Sequence, residues 1–313
     1  MKVIVQIPCL NEEKTLPLVL NSIPKKIAGV DKLEILIIDD GSTDKTVEIA
    51  KKHGVHHIVR HTRNMGLARS FRDGVDKALE LGADIVVNTD GDNQYPQEKI
   101  SELVQPIIKG KAEIVIADRQ TQKIAHFSPF KKLLQRFGSY IVNKAAGTNL
   151  PDAASGFRAY SKYSLIRLNV ITKFSYCMET IIQAGNKNLA IISIPVETNP
   201  KLRESRLFSS TGQHVMQSSM AIMRSYIMFK PFSVFATIGT VLFLLGLVPF
   251  IRYAILLWGY DDNGHLQSLV VGILLLISSV LAFSLGILAD LLRTNRILLE
   301  DNLERTKNEL YKK

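Results

Sequence analysis

From Met1 to Asp118, short apolar runs alternate with stretches in which apolar positions recur every three or four residues. The runs at 3–7, 33–38, 56–59, 83–87 and 113–117 are too short for helices and rich in Val and Ile, which predicts strands. Helical spacing fills 12–27, 43–53, 67–81 and 97–109. This alternation predicts an α/β, Rossmann-like fold with a mostly parallel sheet covered by helices on both faces, in which a ligand binds beyond the carboxyl ends of the strands. Downstream, 127–146 has an amphipathic helical pattern, 176–184 reads as a helix, and "LAIISIPVET" as a strand.

The pattern changes after Pro231. Residues 232–251 carry no charged side chain, and neither do 267–289. Each run reaches the roughly 20 apolar residues that cross a bilayer as a helix. Neither has the polar face of a surface helix, so two transmembrane helices are predicted. Before them, Met216, Met220, Met223 and Ile227 recur at helical spacing, flanked by Arg224 and Lys230, which predicts a helix lying in the membrane surface. The connection "GYDDNGHLQ" has no Lys or Arg. Lys201, Arg203, Arg206, Arg224 and Lys230 precede the first span, and Arg293, Arg296, Arg305 and Lys307 follow the second. That asymmetry puts both flanks, both termini and the catalytic bulk on the cytoplasmic side. The apolar run in "MKVIVQIPCLNEEK" is too short for a signal peptide. The expected organisation is a cytosolic domain over 1–210, a juxtamembrane amphipathic helix over 211–230, a two-helix membrane domain over 231–292 and a cytosolic helix over 293–313.

A formal charge of +10 suits nucleic acid, anionic lipid or phosphate ligands. Much of the excess flanks the predicted spans, and no basic stripe interleaved with aromatics is visible, so lipid and phosphate are preferred to nucleic acid. Cys9 and Cys177 are too few and too far apart for a disulfide framework or a zinc site. His53, His56, His57 and His61 raise a histidine metal site. Neighbouring strand positions face opposite ways, however, and no carboxylate adjoins them in sequence.

The chemistry is concentrated where the predicted strands end. Neither a G-x-G-x-x-G nor a P-loop is present. "NTDGDNQYP" follows the fourth strand and spaces Asp90, Asp92 and Gln94 two apart. It is either a sharp surface turn or a cation site that holds a phosphorylated ligand. "DDGSTDKT" after the second strand is either an ordinary strand-to-helix turn or a carboxylate placed to accept hydrogen bonds from a nucleobase or ribose.

In order, the chain reads "PCLNEE", "IIDDGSTD", "RNMGLARSFRDG", "TDGDNQYPQE", "ADRQ", "DAASGFR" and "LRESRL". This series resembles the family 2 glycosyltransferases of the GT-A fold. Within them it is similar to the polyprenyl-phosphate group that includes dolichyl-phosphate mannose synthase and the bacterial undecaprenyl-phosphate glycosyltransferases. The resemblance spans residues 1–210 by motif, and one branch of the group also has two carboxy-terminal membrane helices.

The resemblance implies that Pro8, Asn11 and Glu12 line a nucleotide pocket with Asp39 near the base. It implies Mg²⁺ or Mn²⁺ held by Asp90, Asp92 and Gln94, alternate residues whose oxygens share one side of an extended segment. Arg119, Arg158 and Ser155 would meet phosphates, and Arg203, Ser205 and Arg206 would close over the donor diphosphate. Asp152 is the residue to weigh as a base or acceptor orienter, against the reading that it caps a turn after Pro151. The implied partners are a nucleoside diphosphate sugar, a polyprenyl phosphate and a membrane, with pairing of the membrane helices into a tetramer. Leu10 stands where many relatives have an aromatic residue, Tyr95 and Gln97 where "HPP" supplies His and Pro, and Arg206 where Lys is usual. A processive polysaccharide synthase is the enzymatic alternative, but its Q-x-x-R-W segment cannot exist in a chain whose only Trp is Trp258. A non-catalytic sensor of sugar nucleotides would lose the metal carboxylates, and both are retained.

Overall fold

The structure is a computed structural model that describes residues 1–122, 129–171, 176–200, 216, 220, 223–224, 226–258 and 266–311. It divides into two compact units, Met1–Met223 with Leu303–Lys313, and Arg224–Asn302.

The first unit is built on seven strands: β1 (Lys2–Cys9), β2 (Lys32–Asp39), β3 (His57–Arg60), β4 (Ile85–Asn88), β5 (Ile114–Asp118), β6 (Arg158–Ser161) and β7 (Ile191–Pro195). Their order in the sheet is β3-β2-β1-β4-β6-β5-β7. The six expected strands are present, and β1 is central because Val3 to Cys9 are buried on both faces, as a strand covered by helices on both sides must be. β1 pairs in parallel with β2 and β4, and β5 with β7.

The sheet is mostly parallel, as expected. Its exception, β6, was not anticipated, and it enters antiparallel between β4 and β5. It is only four residues long and follows "DAASGF", whose small and turn-forming residues carry no strand signal.

The helices of this unit are α1 (Leu16–Ser22), α2 (Thr46–Lys52), α3 (Leu67–Glu80), α4 (Ile100–Ile108), α5 (Pro129–Ala146), α6 (Lys162–Arg167) and α7 (Tyr176–Asn186). α3 lies against β1 and β2, α4 against β5 and β6, and α5 against α7. Residues 303–311 fold onto the same unit: Arg167 pairs with Glu304 at 2.7 Å, Lys307 Nζ donates to Asn169 Oδ1 at 2.8 Å, and Lys162 Nζ donates to the Tyr311 carbonyl at 2.7 Å.

In the second unit, α8 (Pro231–Trp258) and the start of α9 (Leu266–Leu310) are long and apolar enough to cross a membrane. Only 11% and 22% of their most apolar windows are buried, which separates them from core helices. The buried positions of α9 are Gly272, Ser279, Ala282 and Gly286, small residues that allow close helix approach, and Ser279 Oγ donates to the Gly239 carbonyl at 2.8 Å. The surface-lying helix expected over 211–230 falls mostly outside the described residues. Met216, Met220 and Met223 are helical and exposed.

One polar cluster braces the far edge of the sheet. Glu34, 5% exposed, meets Lys2 at 2.8 Å, Lys32 at 2.6 Å and His57 at 2.9 Å. Burial pushes its pKa up, but hydrogen bonds from those three partners outweigh burial and lower it to about 2. A depressed folded-state pKa stabilises fully above the unfolded carboxylate value of about 4 and is lost as pH falls towards the folded value. Glu34→Gln should therefore cost on the order of 2 kcal/mol at pH 7. The gap between wild type and variant should close between pH 4 and about 2, as read from denaturant unfolding of the full chain in detergent.

Candidate active site

The carboxyl ends of β1, β2, β4 and β5 bring their loops together, as the strand order requires. Pro8 is buried on β1 opposite Ile38, so it shapes the strand end. Asn11, at a φ of 55°, ties the first loop to the second. Its N–H donates to Ser42 Oγ at 2.9 Å, and its Oδ1 accepts from the Thr43 N–H at 2.8 Å. The Glu12 N–H donates to Thr46 Oγ1 at 2.8 Å, and its carboxylate accepts from Thr15 Oγ1 at 2.7 Å.

Asp39 and Asp40 divide the work of the second loop. Asp39 is fully buried and accepts from the Ser42 N–H through Oδ1. Its Oδ2 has no hydrogen-bond donor among the described residues, with Arg60 Nε at 3.2 Å. A buried carboxylate oxygen left in this state suits an incoming donor group. Asp40 was not singled out from sequence, yet it holds the third loop by accepting from the N–H groups of Met65 and Gly66 and from His61 Nδ1 at 2.7 Å. Carboxylates from β2 and its loop, absent from the histidines' own sequence neighbourhood, thus engage His57 and His61. No group of three metal-ligating side chains forms among the described residues.

The loop after β4 carries Asp90, Asp92 and Gln94, all half-buried. A Cβ on Gly91 would lie 3.1 Å from Cys9 Sγ and 3.2 Å from Glu12 Cγ, so this loop rests directly on the one after β1. On the other side, a Cβ on Gly156 would lie 3.2 Å from Asp90 Oδ2 and 3.0 Å from Tyr176 Oη. A side chain there would have to push these neighbours aside by a few tenths of an ångström, so the segment packs closest as glycine. Gln94 Nε2 donates to Asp92 Oδ2 at 2.8 Å, and the Gln94 N–H to Asp92 Oδ1 at 3.1 Å. Gln94 therefore orients Asp92, and its Oε1 is the atom left for a cation. Two carboxylates and an amide oxygen are hard donors that fit Mg²⁺ or Mn²⁺, ions that use phosphate oxygens to complete their shells.

Buried polar groups missed from sequence fix the 153–157 segment against Asp90. Asn88 Nδ2 donates to the Gly156 carbonyl at 2.9 Å and to Tyr176 Oη at 2.7 Å, while its Oδ1 accepts from Gln6 at 2.9 Å. Tyr95 Oη accepts the Gly156 N–H at 3.0 Å, and burial pushes the Tyr95 hydroxyl well above its usual pKa. The available signal was Asn88 itself, a polar residue closing a fully apolar strand. Ser155 is completely buried, and its Oγ has no partner among the described residues.

The two arginines expected to meet phosphates are held differently. Arg158 is fully buried, with Nε on the Ser155 carbonyl, Nη1 on Cys177 O and Thr180 Oγ1, and Nη2 on Ala153 O, all at 2.7–3.0 Å. It pins the 153–157 segment to α7 and has no face left for a phosphate, because β6 begins at Arg158 and turns its side chain inward. Arg119 donates to Asp152 through Nε at 2.6 Å and Nη2 at 2.9 Å. Burial opposes ionisation of Asp152, but the Arg119 charge and hydrogen bonds prevail and hold its pKa below the ordinary value. A carboxylate so held is a poor base, and its observed work is to orient Arg119. Arg203, Ser205 and Arg206 lie outside the described residues.

A family model described as glycosyl transferase family 2 matches residues 4–168. The chain belongs to glycosyl transferase family 2. It is 32% identical over 213 residues to the UDP-N-acetylglucosamine–dolichyl-phosphate N-acetylglucosaminyltransferase of Methanococcus voltae, which covers 61% of this chain and 83% of the relative. It is 23% identical over 301 residues to the dodecaprenyl-phosphate galacturonate synthase of Rhizobium johnstonii, covering 91% of this chain and 86% of the relative. Among solved structures it resembles glucosyl-3-phosphoglycerate synthase from Mycobacterium tuberculosis, crystallised with Mn²⁺ and UDP. That match has a TM-score of 0.55 at 20% identity and covers 72% of this chain and 78% of the other. The protein is a family 2 glycosyltransferase with a GT-A fold, and its named homologues include polyprenyl-phosphate sugar transferases.

Arg119 and Asp152 form a largely buried ion pair, and breaking it from one side strands a buried charge. Asp152→Ala should cost about 3–5 kcal/mol, whereas replacing both partners by Leu and Met should cost less than the single change. Thermal unfolding of the purified full chain distinguishes the two.

Proposed function

We propose that this enzyme transfers a sugar from a UDP- or GDP-sugar to a polyprenyl monophosphate, by direct displacement with inversion at the anomeric carbon. The product is a polyprenyl-phosphate sugar for envelope or protein glycosylation. The reaction takes place at the cytoplasmic face of a membrane crossed by α8 and α9. The observation that carries this reading is that the loop bearing Asp90 and Asp92 rests on the loop after β1, which is itself tied to the loop after β2, at the carboxyl end of the sheet. The homologues' polyprenyl-phosphate acceptors support the acceptor class.

The chemistry follows from what the substrates lack. A phosphate monoester has a second pKa of about 6 and is already largely dianionic near neutrality, so its oxygen attacks without a strong base. The new bond joins that oxygen to the anomeric carbon as the bond to the nucleoside diphosphate breaks, and the electron pair leaves with the diphosphate. Asp152 fits this chemistry as the residue that fixes Arg119 rather than as a proton acceptor. Two of the three Arg119 guanidinium nitrogens are spent on Asp152, and Nη1 is assigned to a substrate phosphate. Asp39 accepts from the base or ribose, with Pro8, Asn11 and Glu12 shaping the pocket around it. Asp90, Asp92 and Gln94 are assigned to a divalent cation that, when bound, offsets the charge of the leaving diphosphate. Ser155, whose buried Oγ has no partner among the described residues, is assigned to a phosphate group. Arg203, Ser205 and Arg206 are assigned to the diphosphate from the motif alone.

The test is to incubate detergent-purified protein with Mn²⁺ or Mg²⁺, a short polyprenyl phosphate and a panel of UDP- and GDP-sugars, following glycolipid formation. One donor should yield glycolipid with inverted anomeric configuration, and Asp92→Ala should lower turnover by about 10²-fold or more. Turnover with no polyprenyl acceptor, despite donor binding, would overturn the proposal.

A further inference from the structure

α5 presents a face that the catalytic reading does not use. Its inner side, Ser139, Val142, Ala145 and Ala146, is buried. Ser139 Oγ accepts the Ala153 N–H at 3.2 Å, and Asn143 Nδ2 donates to the Leu150 carbonyl at 2.8 Å. The helix is therefore held firmly in one rotation about its axis.

That rotation leaves Leu133, Phe137 and Tyr140 outward at 62%, 58% and 61% exposure. At i, i+4 and i+7 they form a single stripe, with exposed Arg136 and Lys144 on the same side. The helix sequence contains Lys131, Lys132, Arg136 and Lys144 and no Asp or Glu. A surface helix of a soluble domain ordinarily turns charges of both signs outward and its large apolar groups inward. Here aromatic and aliphatic groups share the outer face with cations only.

We infer that the outer face of α5 docks on an anionic lipid surface. Phe137, Leu133 and the Tyr140 ring enter the headgroup boundary, and Arg136 and Lys144 meet lipid phosphates. The all-basic charge selects an anionic partner, and α8 and α9 of the same chain are apolar enough to hold it at a bilayer. Arg136 and Tyr140 also line a cavity of about 670 Å³ with Asp118, Gln120, Asn143 and Pro151. Docking therefore sets one wall of that cavity at headgroup level. Use of the cavity by a lipid acceptor rests on the proposed function, but the docking itself does not.

The experiment needs no turnover. The full chain is reconstituted in vesicles with or without phosphatidylglycerol, carrying a fluorophore on Phe137→Cys or, as reference, on Leu18→Cys of α1, which is 48% exposed. Native Cys9 and Cys177 are buried and do not compete for label. Circular dichroism and thermal unfolding establish that each labelled protein is folded. Lipids spin-labelled near the headgroup should quench the Phe137 site several-fold more than the Leu18 site, only with phosphatidylglycerol present. Arg136→Glu with Lys144→Glu should remove most of that difference. Equal quenching at both sites overturns the inference. So does disulfide formation between unlabelled Phe137→Cys chains without quenching, which would mean that a second copy covers the stripe. A chain that docks but makes no glycolipid would disprove the proposed function and leave the docking intact.

Discussion

A guanidinium excluded from water must have its donors satisfied by the protein, and the geometry of the catalytic end follows from how Arg158 meets that demand. Its partners are carbonyls at Ala153, Ser155 and Cys177 and the hydroxyl of Thr180. These come from both the segment before β6 and from α7, so one side chain fixes two elements at once. Burial disfavours the charged form, yet neighbouring groups leave the Arg158 pKa raised and the side chain cationic. Once the segment is fixed, Gly156 lies against Asp90, and Asn88, Tyr95 and Tyr176 close the polar shell behind it. The position of the first candidate cation ligand thus depends on an arginine whose bonds go to protein carbonyls and a hydroxyl.

The same logic explains why the carboxylates of this site divide by role. Asp40 and Asp152 are spent on protein donors, the first on two backbone N–H groups and His61, the second on Arg119. Asp39 keeps one oxygen without a hydrogen-bond donor among the described residues, and Asp90 and Asp92 sit half-buried where loops converge. A buried carboxylate whose hydrogen bonds are complete is part of the frame. Asp39 Oδ2, buried at a strand end without a hydrogen-bond donor among the described residues, is where an incoming donor group gains most.

Sequence periodicity revealed the parallel core because Val- and Ile-rich runs buried on both faces have few alternatives, and the strand-end rule then located the loops. It did not reveal β6, whose four residues depend on β4 and β5 for their identity as a strand. Arg158 was assigned to a phosphate by motif resemblance alone, whereas at the start of β6 its guanidinium is buried among carbonyls and a hydroxyl. Asp152 likewise read as a lone carboxylate after a proline, because its partner lies 33 residues earlier. Motif order identified which loops matter. Which side chains are free to act was decided by tertiary hydrogen bonds between residues distant in sequence.

Pairing Asp152 with Arg119 would be a liability for an enzyme that had to deprotonate an alcohol, because the same interaction that lowers the carboxylate pKa removes its basicity. For a phosphate acceptor it is an asset. The nucleophile arrives ionised, and what the site must supply is positive charge in a fixed place. A guanidinium clamped by a carboxylate loses little further freedom when a phosphate binds its remaining edge, so more of the interaction energy is left for catalysis. Under the proposed reaction, the Arg119 charge that holds the Asp152 pKa down costs the enzyme no needed base, because the acceptor brings its own negative charge.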